Sequence, residues 1–151
     1  MEWHRICCAV ELSEAAAGVV RQAALLAART GARLTIVHVD ERAPHGPEPL
    51  FAPPAKPGRA GLGAGFRLVA WACEAESLGA GPVRTCRLVG RAVDEIPRFV
   101  AAEGCDLLVV GAPAGGALRR WLRAARTASL LRHAGCEVLV VPGAPIPARA
   151  A

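Results

Sequence analysis

Short apolar runs alternate with longer amphipathic segments along most of this chain, and that alternation restricts the fold more than any other feature. The run from Ile6 to Val10 is continuously apolar, which is typical of a strand covered on both faces of a parallel sheet. Four further strand-like runs follow it, and the third strand alternates apolar residues with Arg84 and Arg87, which predicts a position at a sheet edge. The predicted strands are residues 5–11, 34–39, 83–88, 106–110 and 137–141. Because helical segments separate these strands, we expect an α/β fold: an open doubly wound five-stranded parallel sheet with helices on both faces, Rossmann-like or flavodoxin-like in type.

Helix signals fill the intervals between the strands. Ser13 is the predicted N-cap of the first helix, and Gly31 is its predicted C-terminal stop. The second helix is predicted over residues 66–78, with Phe66 and Val69 on its apolar face. Two further helices are predicted over residues 92–103 and 117–133.

Residues 40–65 interrupt the pattern because they are rich in proline and glycine, which disfavour regular structure. A surface loop is the favoured interpretation, and a mobile lid is the alternative. We therefore expect one domain over residues 1–142, with residues 40–65 as a loop insertion and residues 143–151 as a flexible tail.

Composition excludes several classes of protein. Aromatic residues make up only 4% of the chain, so the predicted core consists of Ala, Val, Leu and Ile. The net charge of +5 falls short of a nucleic-acid-binding signature, so nucleic acid is not an expected partner. No apolar run reaches the 18 or so residues that span a membrane, so no membrane association is expected.

The six cysteines form no Cys-x-x-Cys pair, and no secretory signal precedes the first strand. We therefore expect buried thiols in a reducing compartment, and a cytoplasmic protein. A redox sensor built on the adjacent Cys7 and Cys8 is disfavoured, because neighbouring residues of a strand point to opposite faces. No Cys or His spacing predicts a metal site, and His38 is interpreted as a hydrogen-bonded core histidine rather than a catalyst.

The candidate site lies where three predicted strands end. In doubly wound sheets, ligands bind beyond the carboxyl ends of the strands, at the point where strand order reverses. Val10 and Glu11 end the first predicted strand, Val39 ends the second, and a small-residue turn over residues 111–116 follows the fourth. Such a turn before a helix can present backbone N–H groups to a phosphate.

Four segments of the sequence resemble the universal stress protein (UspA-like) family. They are ICCAVELSE at residues 6–14, LTIVHV at 34–39, GCDLLVVG at 104–111 and LRHAGCEVLVV at 131–141. The resemblance implies a stress-response binding protein rather than an enzyme. It also implies a homodimer in which the strand Glu137–Val141 pairs antiparallel with its twin. The apolar, uncharged run from Val138 to Val141 is itself consistent with an edge that needs covering.

ATP-binding members of that family look like Gly-x2-Gly-x9-Gly-Ser/Thr after the fourth strand. In this chain the motif falls on Gly111, Ala114, Ala124 and Ala125, so only the first glycine is kept; Glu11 stands where an Asp is usual. Alanine in a left-handed conformation costs about 1 kcal/mol and adds a methyl group, and Ala125 lacks the hydroxyl that could donate to a phosphate. The three losses together predict that most of the triphosphate site is gone.

A shifted loop could compensate in part, through the backbone N–H groups of Gly115 and Gly116 and the side chain of Arg126. The complete candidate site is Val10, Glu11, Val39, Gly111, Ala114, Gly115, Gly116, Ala124, Ala125 and Arg126. The favoured interpretation of the arginines over residues 119–126 is a solvated helix face, with an anion contact as the alternative.

Two functions follow. The first is a small cytoplasmic dimer that acts on an unknown protein partner, with a degenerate nucleotide site that binds ATP poorly and needs no cofactor. The alternative is a nucleotide-dependent switch that binds ATP or AMP.

Overall fold

Five strands form one sheet in the computed structural model of this protein, which describes residues 2–13, 15–41, 59–112 and 128–142. The strands are β1 (Arg5–Ala9), β2 (Arg33–Asp40), β3 (Arg84–Val89), β4 (Leu107–Gly111) and β5 (Glu137–Val141). Their order is β3-β2-β1-β4-β5, and every pair is parallel. The predicted fold class is confirmed, and the strand order is that of a Rossmann-like sheet.

Helices cover both faces of the sheet, as expected. They are α1 (Ala16–Thr30), α2 (Arg59–Ser77) and α3 (Ala92–Glu103), and residues 128–133 are also helical. One core lies between the sheet and helices α1 and α2, and a second lies between the sheet and α3 with residues 128–133. No helix in the described ranges is both long and apolar enough to cross a membrane.

Strand and helix ends differ from the sequence prediction by small shifts. β1 ends at Ala9 rather than at residue 11, although the Val10 N–H still donates to the Val37 carbonyl at 2.9 Å. β3 and β4 each lie one residue later than predicted, and β3 occupies a sheet edge, as its alternating arginines indicated. Only residues 128–133 of the predicted helix 117–133 fall within the described part of the chain.

The predicted N-cap of α1 is wrong. Ala15 precedes the helix and already has helical backbone angles, with φ −62° and ψ −24°, and its side chain offers no cap. Ser13 takes part through its carbonyl, which accepts the Ala16 N–H at 3.1 Å. The C-terminal end is confirmed: Gly31 has φ 72° and donates its N–H to the Ala27 carbonyl at 2.9 Å, a left-handed cap that glycine adopts at little cost.

The start and the buried face of α2 are both corrections. The helix begins at Arg59, inside the segment predicted as a loop, and residues 42–58 of that segment lie outside the described ranges. Phe66 and Val69 are 75% and 56% exposed, whereas Leu68 and Ala72 are buried. The small residues of this helix allow a close approach to the alanine-rich α1, so packing between helices selects the face that side-chain size alone did not indicate.

We predict that Leu108→Ala lowers the free energy of unfolding by about 2–5 kcal/mol, because the side chain is fully buried in the second core. Urea denaturation followed by circular dichroism measures the change. Leu131→Ala is the control: that leucine is 49% exposed, and we expect it to cost less than about 1 kcal/mol. Equal losses for the two variants would contradict this description of the core.

Candidate functional site

A cavity of about 160 Å³ opens at the carboxyl ends of β1, β2 and β4. β1 pairs with β2 on one side and β4 on the other, so strand order reverses here. The cavity lies between that edge of the sheet and the amino-terminal ends of α1 and α3. Chain topology alone therefore creates a crevice where the fold class binds ligands.

Four of the ten predicted site residues line this cavity. Val10 and Glu11 follow β1, Val39 belongs to β2, and Gly111 ends β4. The other six lie outside the described residues: Ala114, Gly115, Gly116, Ala124, Ala125 and Arg126. The structure thus brings the strand-end half of the predicted site together, and the phosphate-loop half stays a prediction from sequence.

The cavity walls are mainly aliphatic. Val19 of α1 and Val110 of β4 belong to the cores on opposite sides of the sheet, and Ile96 and Leu130 line the side formed by α3 and residues 128–133. The polar side chains that line the cavity are Glu11, Glu41, Ser13 and His38. Such a lining suits a largely apolar group held in place by a few polar contacts.

His38 lines the cavity at the end of β2 and joins it to β1. Its Nδ1 lies 3.0 Å from the Val10 carbonyl oxygen, and since a carbonyl can only accept, Nδ1 carries the proton. The side chain is partly buried, so the predicted role as a hydrogen-bonded histidine agrees with this contact. The bond holds the backbone at Val10, which lines the cavity beside Glu11.

Two further contacts were not predicted from the sequence. Glu41 Oε1 accepts the backbone N–H of Ala92 at 3.0 Å, at the first residue of α3. A carboxylate there is stabilised by the helix dipole and holds the end of β2 against α3. Asp40 Oδ2 and Arg87 Nη2 form an ion pair at 2.6 Å across β2 and β3. In the sequence, both contacts were indicated only by the position of Asp40 and Glu41 directly after the predicted strand 34–39.

Gly111 is favoured by close packing rather than by backbone conformation. A Cβ atom at this position would lie 3.1 Å from Val19 Cγ2 of α1, and the φ angle of Gly111 is not in the positive region. The absence of a side chain lets the end of β4 approach α1 closely, and this approach forms one wall of the cavity.

The sequence pattern of the universal stress protein family matches residues 2–142. This chain belongs to the universal stress protein family. The match includes every element of the sheet and the whole described cavity. A comparison with curated proteins finds no match.

Solved structures of other universal stress proteins share the fold. One, solved in complex with cAMP, is 22% identical with a TM-score of 0.70, covering 93% of this chain and 98% of that one. UspA from Lactobacillus plantarum is 23% identical with a TM-score of 0.64, covering 93% and 99%. The protein from Archaeoglobus fulgidus in complex with dAMP is 20% identical with a TM-score of 0.66, covering 93% and 99%. At these identities the likeness is one of fold.

Within residues 2–13, 15–41, 59–112 and 128–142, no group of three or more His, Cys, Asp or Glu side chains is arranged to hold a metal ion.

We predict that Gly111→Ala destabilises the protein by about 1–3 kcal/mol, because the new methyl group presses on Val19. Thermal and urea unfolding measure the loss. In a double-mutant cycle with Val19→Ala, the two changes should be less costly together than the sum of the single variants, since the alanine frees the space that the methyl group needs. Strict additivity would show that the two residues are not in contact.

Proposed function

We propose that this universal stress protein is a cytoplasmic binding module whose carboxyl-edge cavity accepts the adenosine part of a nucleotide and gives ATP no advantage over AMP. The proposal takes the chain as one domain over residues 1–142 with a tail at 143–151, acting by binding and not by catalysis. The observation that carries it is the cavity itself, which lies at the strand-order reversal and combines aliphatic walls with a carboxylate at Glu11.

The residues that line the cavity support a nucleoside ligand. Val19, Val39 and Ile96 offer aliphatic surface to a base. Glu11, directly after β1, is placed to accept hydrogen bonds from ribose hydroxyls, the role that an acidic strand-end residue serves in nucleotide-binding sheets. Relatives of this fold solved with cAMP and dAMP each hold a nucleotide with a single phosphate.

The triphosphate part of such a site is weakened in this chain. Alanine stands at positions 114, 124 and 125, where the ATP-binding pattern has glycine, glycine and Ser or Thr. In addition, the first N–H group of α3, that of Ala92, already donates to the Glu41 carboxylate, whose negative charge opposes a phosphate at that helix end. A ligand with three phosphates would gain little over a ligand with one.

We predict that calorimetry gives dissociation constants for AMP and ATP that agree within about threefold, a difference below 1 kcal/mol. The triple variant Ala114→Gly/Ala124→Gly/Ala125→Ser restores the pattern and should tighten ATP binding by about tenfold while leaving AMP unchanged, because only the outer phosphates gain contacts. The matched control is Ala117→Gly/Ala128→Ser, which adds similar residues outside the pattern and should change neither constant.

Other outcomes would decide against the proposal. If neither AMP nor ATP binds at millimolar concentration, the cavity is not a nucleoside site, and the chain acts through protein partners alone. If the unmutated protein binds ATP at least tenfold more tightly than AMP, the alternative holds: a nucleotide-dependent switch that uses Gly115, Gly116 and Arg126.

We further infer that the protein is a homodimer joined through β5. This strand lies at one edge of the sheet, and Leu139 and Val140 are each 37% exposed. An apolar edge strand exposes backbone groups that a second strand can pair with, and antiparallel pairing with the same strand of a second copy would cover the exposed strand of each copy.

The six free thiols of the chain fit the reducing compartment that the cytoplasm provides.

We predict that sedimentation at micromolar concentration shows a dimer and that Val140→Glu converts it to a monomer, since two like charges would face each other near the dimer axis. Val89→Glu is the control: Val89 ends β3 at the opposite edge of the sheet and is 61% exposed, so the dimer should persist. A monomeric unmutated protein, or dimers of both variants, would contradict pairing through β5.

A further inference from the structure

The side chain of His38 carries two ring nitrogens with different roles at the edge of the cavity. His38 lies near the end of β2 and lines the cavity, and its Nδ1 donates to the Val10 carbonyl oxygen at 3.0 Å. In a neutral imidazole only one nitrogen carries a proton, so Nε2 holds a lone pair and accepts hydrogen bonds. The bond to Val10 therefore determines the chemical character of the second nitrogen.

The Nε2 atom of His38 is accessible to solvent. Among residues 2–13, 15–41, 59–112 and 128–142, no group forms a hydrogen bond at Nε2, whereas no buried side-chain nitrogen or oxygen in those ranges lacks a partner. An unpartnered nitrogen of this partly buried side chain is consequently not a buried atom. Because His38 borders the cavity, a ligand in the cavity can reach this acceptor.

The other polar side chains around the cavity also favour a ligand that donates. Ionised carboxylates at Glu11 and Glu41 have no proton to give, and Glu41 accepts the Ala92 N–H at 3.0 Å. Among the described residues of the lining, the Ser13 hydroxyl is the polar side chain that can act either way. A ligand that suits this set carries several donors, such as ribose hydroxyl groups together with an amino group.

The same hydrogen bond places the imidazole close to the residue assigned to the ribose. The Val10 carbonyl belongs to the peptide group that joins Val10 to Glu11, so His38 is held one peptide group away from Glu11. Base and ribose are bonded directly to each other in a nucleoside. An acceptor that reads the base should therefore lie next to the acceptor that binds the sugar, and His38 meets that requirement.

We propose that His38 selects the base of the bound nucleoside. Its Nε2 accepts a hydrogen bond from an exocyclic amino group, as in adenine, and is repelled by the carbonyl oxygen that hypoxanthine carries at the same position. This inference rests on the proposed function, because it assigns the base-reading group of that same cavity. The role is one of specificity and not of catalysis.

Calorimetry at pH 8, where histidine is ordinarily neutral, tests this role with three ligands. They are AMP, purine riboside monophosphate, which has hydrogen in place of the amino group, and IMP, which has a carbonyl oxygen there. The unmutated protein should bind AMP about fivefold more tightly than purine riboside monophosphate, which is the effect of one hydrogen bond. IMP should bind more weakly still, because two acceptors would face each other.

The variant His38→Asn separates the roles of the two ring nitrogens. The asparagine amide nitrogen stands in for Nδ1 and can still donate to the Val10 carbonyl, but no atom replaces Nε2. AMP and purine riboside monophosphate should therefore bind this variant with dissociation constants that agree within about twofold. The matched control is His4→Asn: His4 precedes β1 at the opposite end of the sheet and its side chain is 74% exposed, so the fivefold preference should persist.

A measurement on the unmutated protein makes the test independent of how the variants fold. In protein with isotope-labelled histidines, the nitrogen NMR signal of His38 Nε2 should be that of an unprotonated ring nitrogen. AMP should shift this signal upfield, because the lone pair then accepts a hydrogen bond. Purine riboside monophosphate should leave the signal near its position in the ligand-free protein.

Two results would overturn the role of His38 while leaving the nucleoside site in place. One is equal affinity of the unmutated protein for AMP and purine riboside monophosphate, and the other is a preference for AMP that His38→Asn retains. If none of the three ligands binds at millimolar concentration, the proposed function fails, and this inference fails with it. The two kinds of failure are thus distinguished by whether any nucleoside monophosphate binds.

Discussion

The structure depends on the placement of β1, which is paired with a parallel neighbour on each side and covered on each face. Cys8 is the register partner of both Ile36 and Val109, and all three side chains are buried in the core beneath α1. The alternate residue, Cys7, serves the opposite core. A slip by one residue would exchange the two sets of side chains, so burial on both faces fixes the register of the central strands.

That placement also gives the two ends of the sheet different chemistry. At the carboxyl ends of β1, β2 and β4, strand order reverses, and a crevice is left between the sheet and the helices that cover its two faces. At the amino ends, Asp106 accepts the backbone N–H groups of His4 and Arg5 at 2.8 and 3.0 Å. Desolvation opposes ionisation of Asp106, but these hydrogen bonds outweigh it and lower the pKa. The amino end is therefore closed by hydrogen bonds, and the carboxyl end is open.

The sequence could predict the sheet because each buried strand is a continuous apolar run whose length and flanking turns leave little choice. It could not predict the face of α2, because large apolar side chains such as Phe66 and Val69 carry most of the periodicity signal, whereas the contact with α1 is made by small ones. The sequence could not predict the N-cap of α1 either. The residue type of Ser13 favours a cap, whereas the local backbone places Ala15 at the N-cap position.

For the candidate site, the strand-end residues could be located, because topology alone brings Val10, Val39 and Gly111 to one edge. The hydrogen-bond partners of His38 and Glu41 could not be predicted, because each depends on strand register and on the rotamer of a single side chain. The packing role of Gly111 against Val19 also lay beyond the sequence, which indicates a small residue but not the neighbour that requires it.

The two edges of the sheet are chemically unlike. The β3 edge carries Arg84 and Arg87, which form ion pairs with Glu103 and Asp40, whereas β5 is largely aliphatic. Charged side chains on an edge strand oppose the addition of another strand. A chain with one receptive edge has a single site for strand addition, so the dimer proposed above would close at two copies and would not extend into a filament.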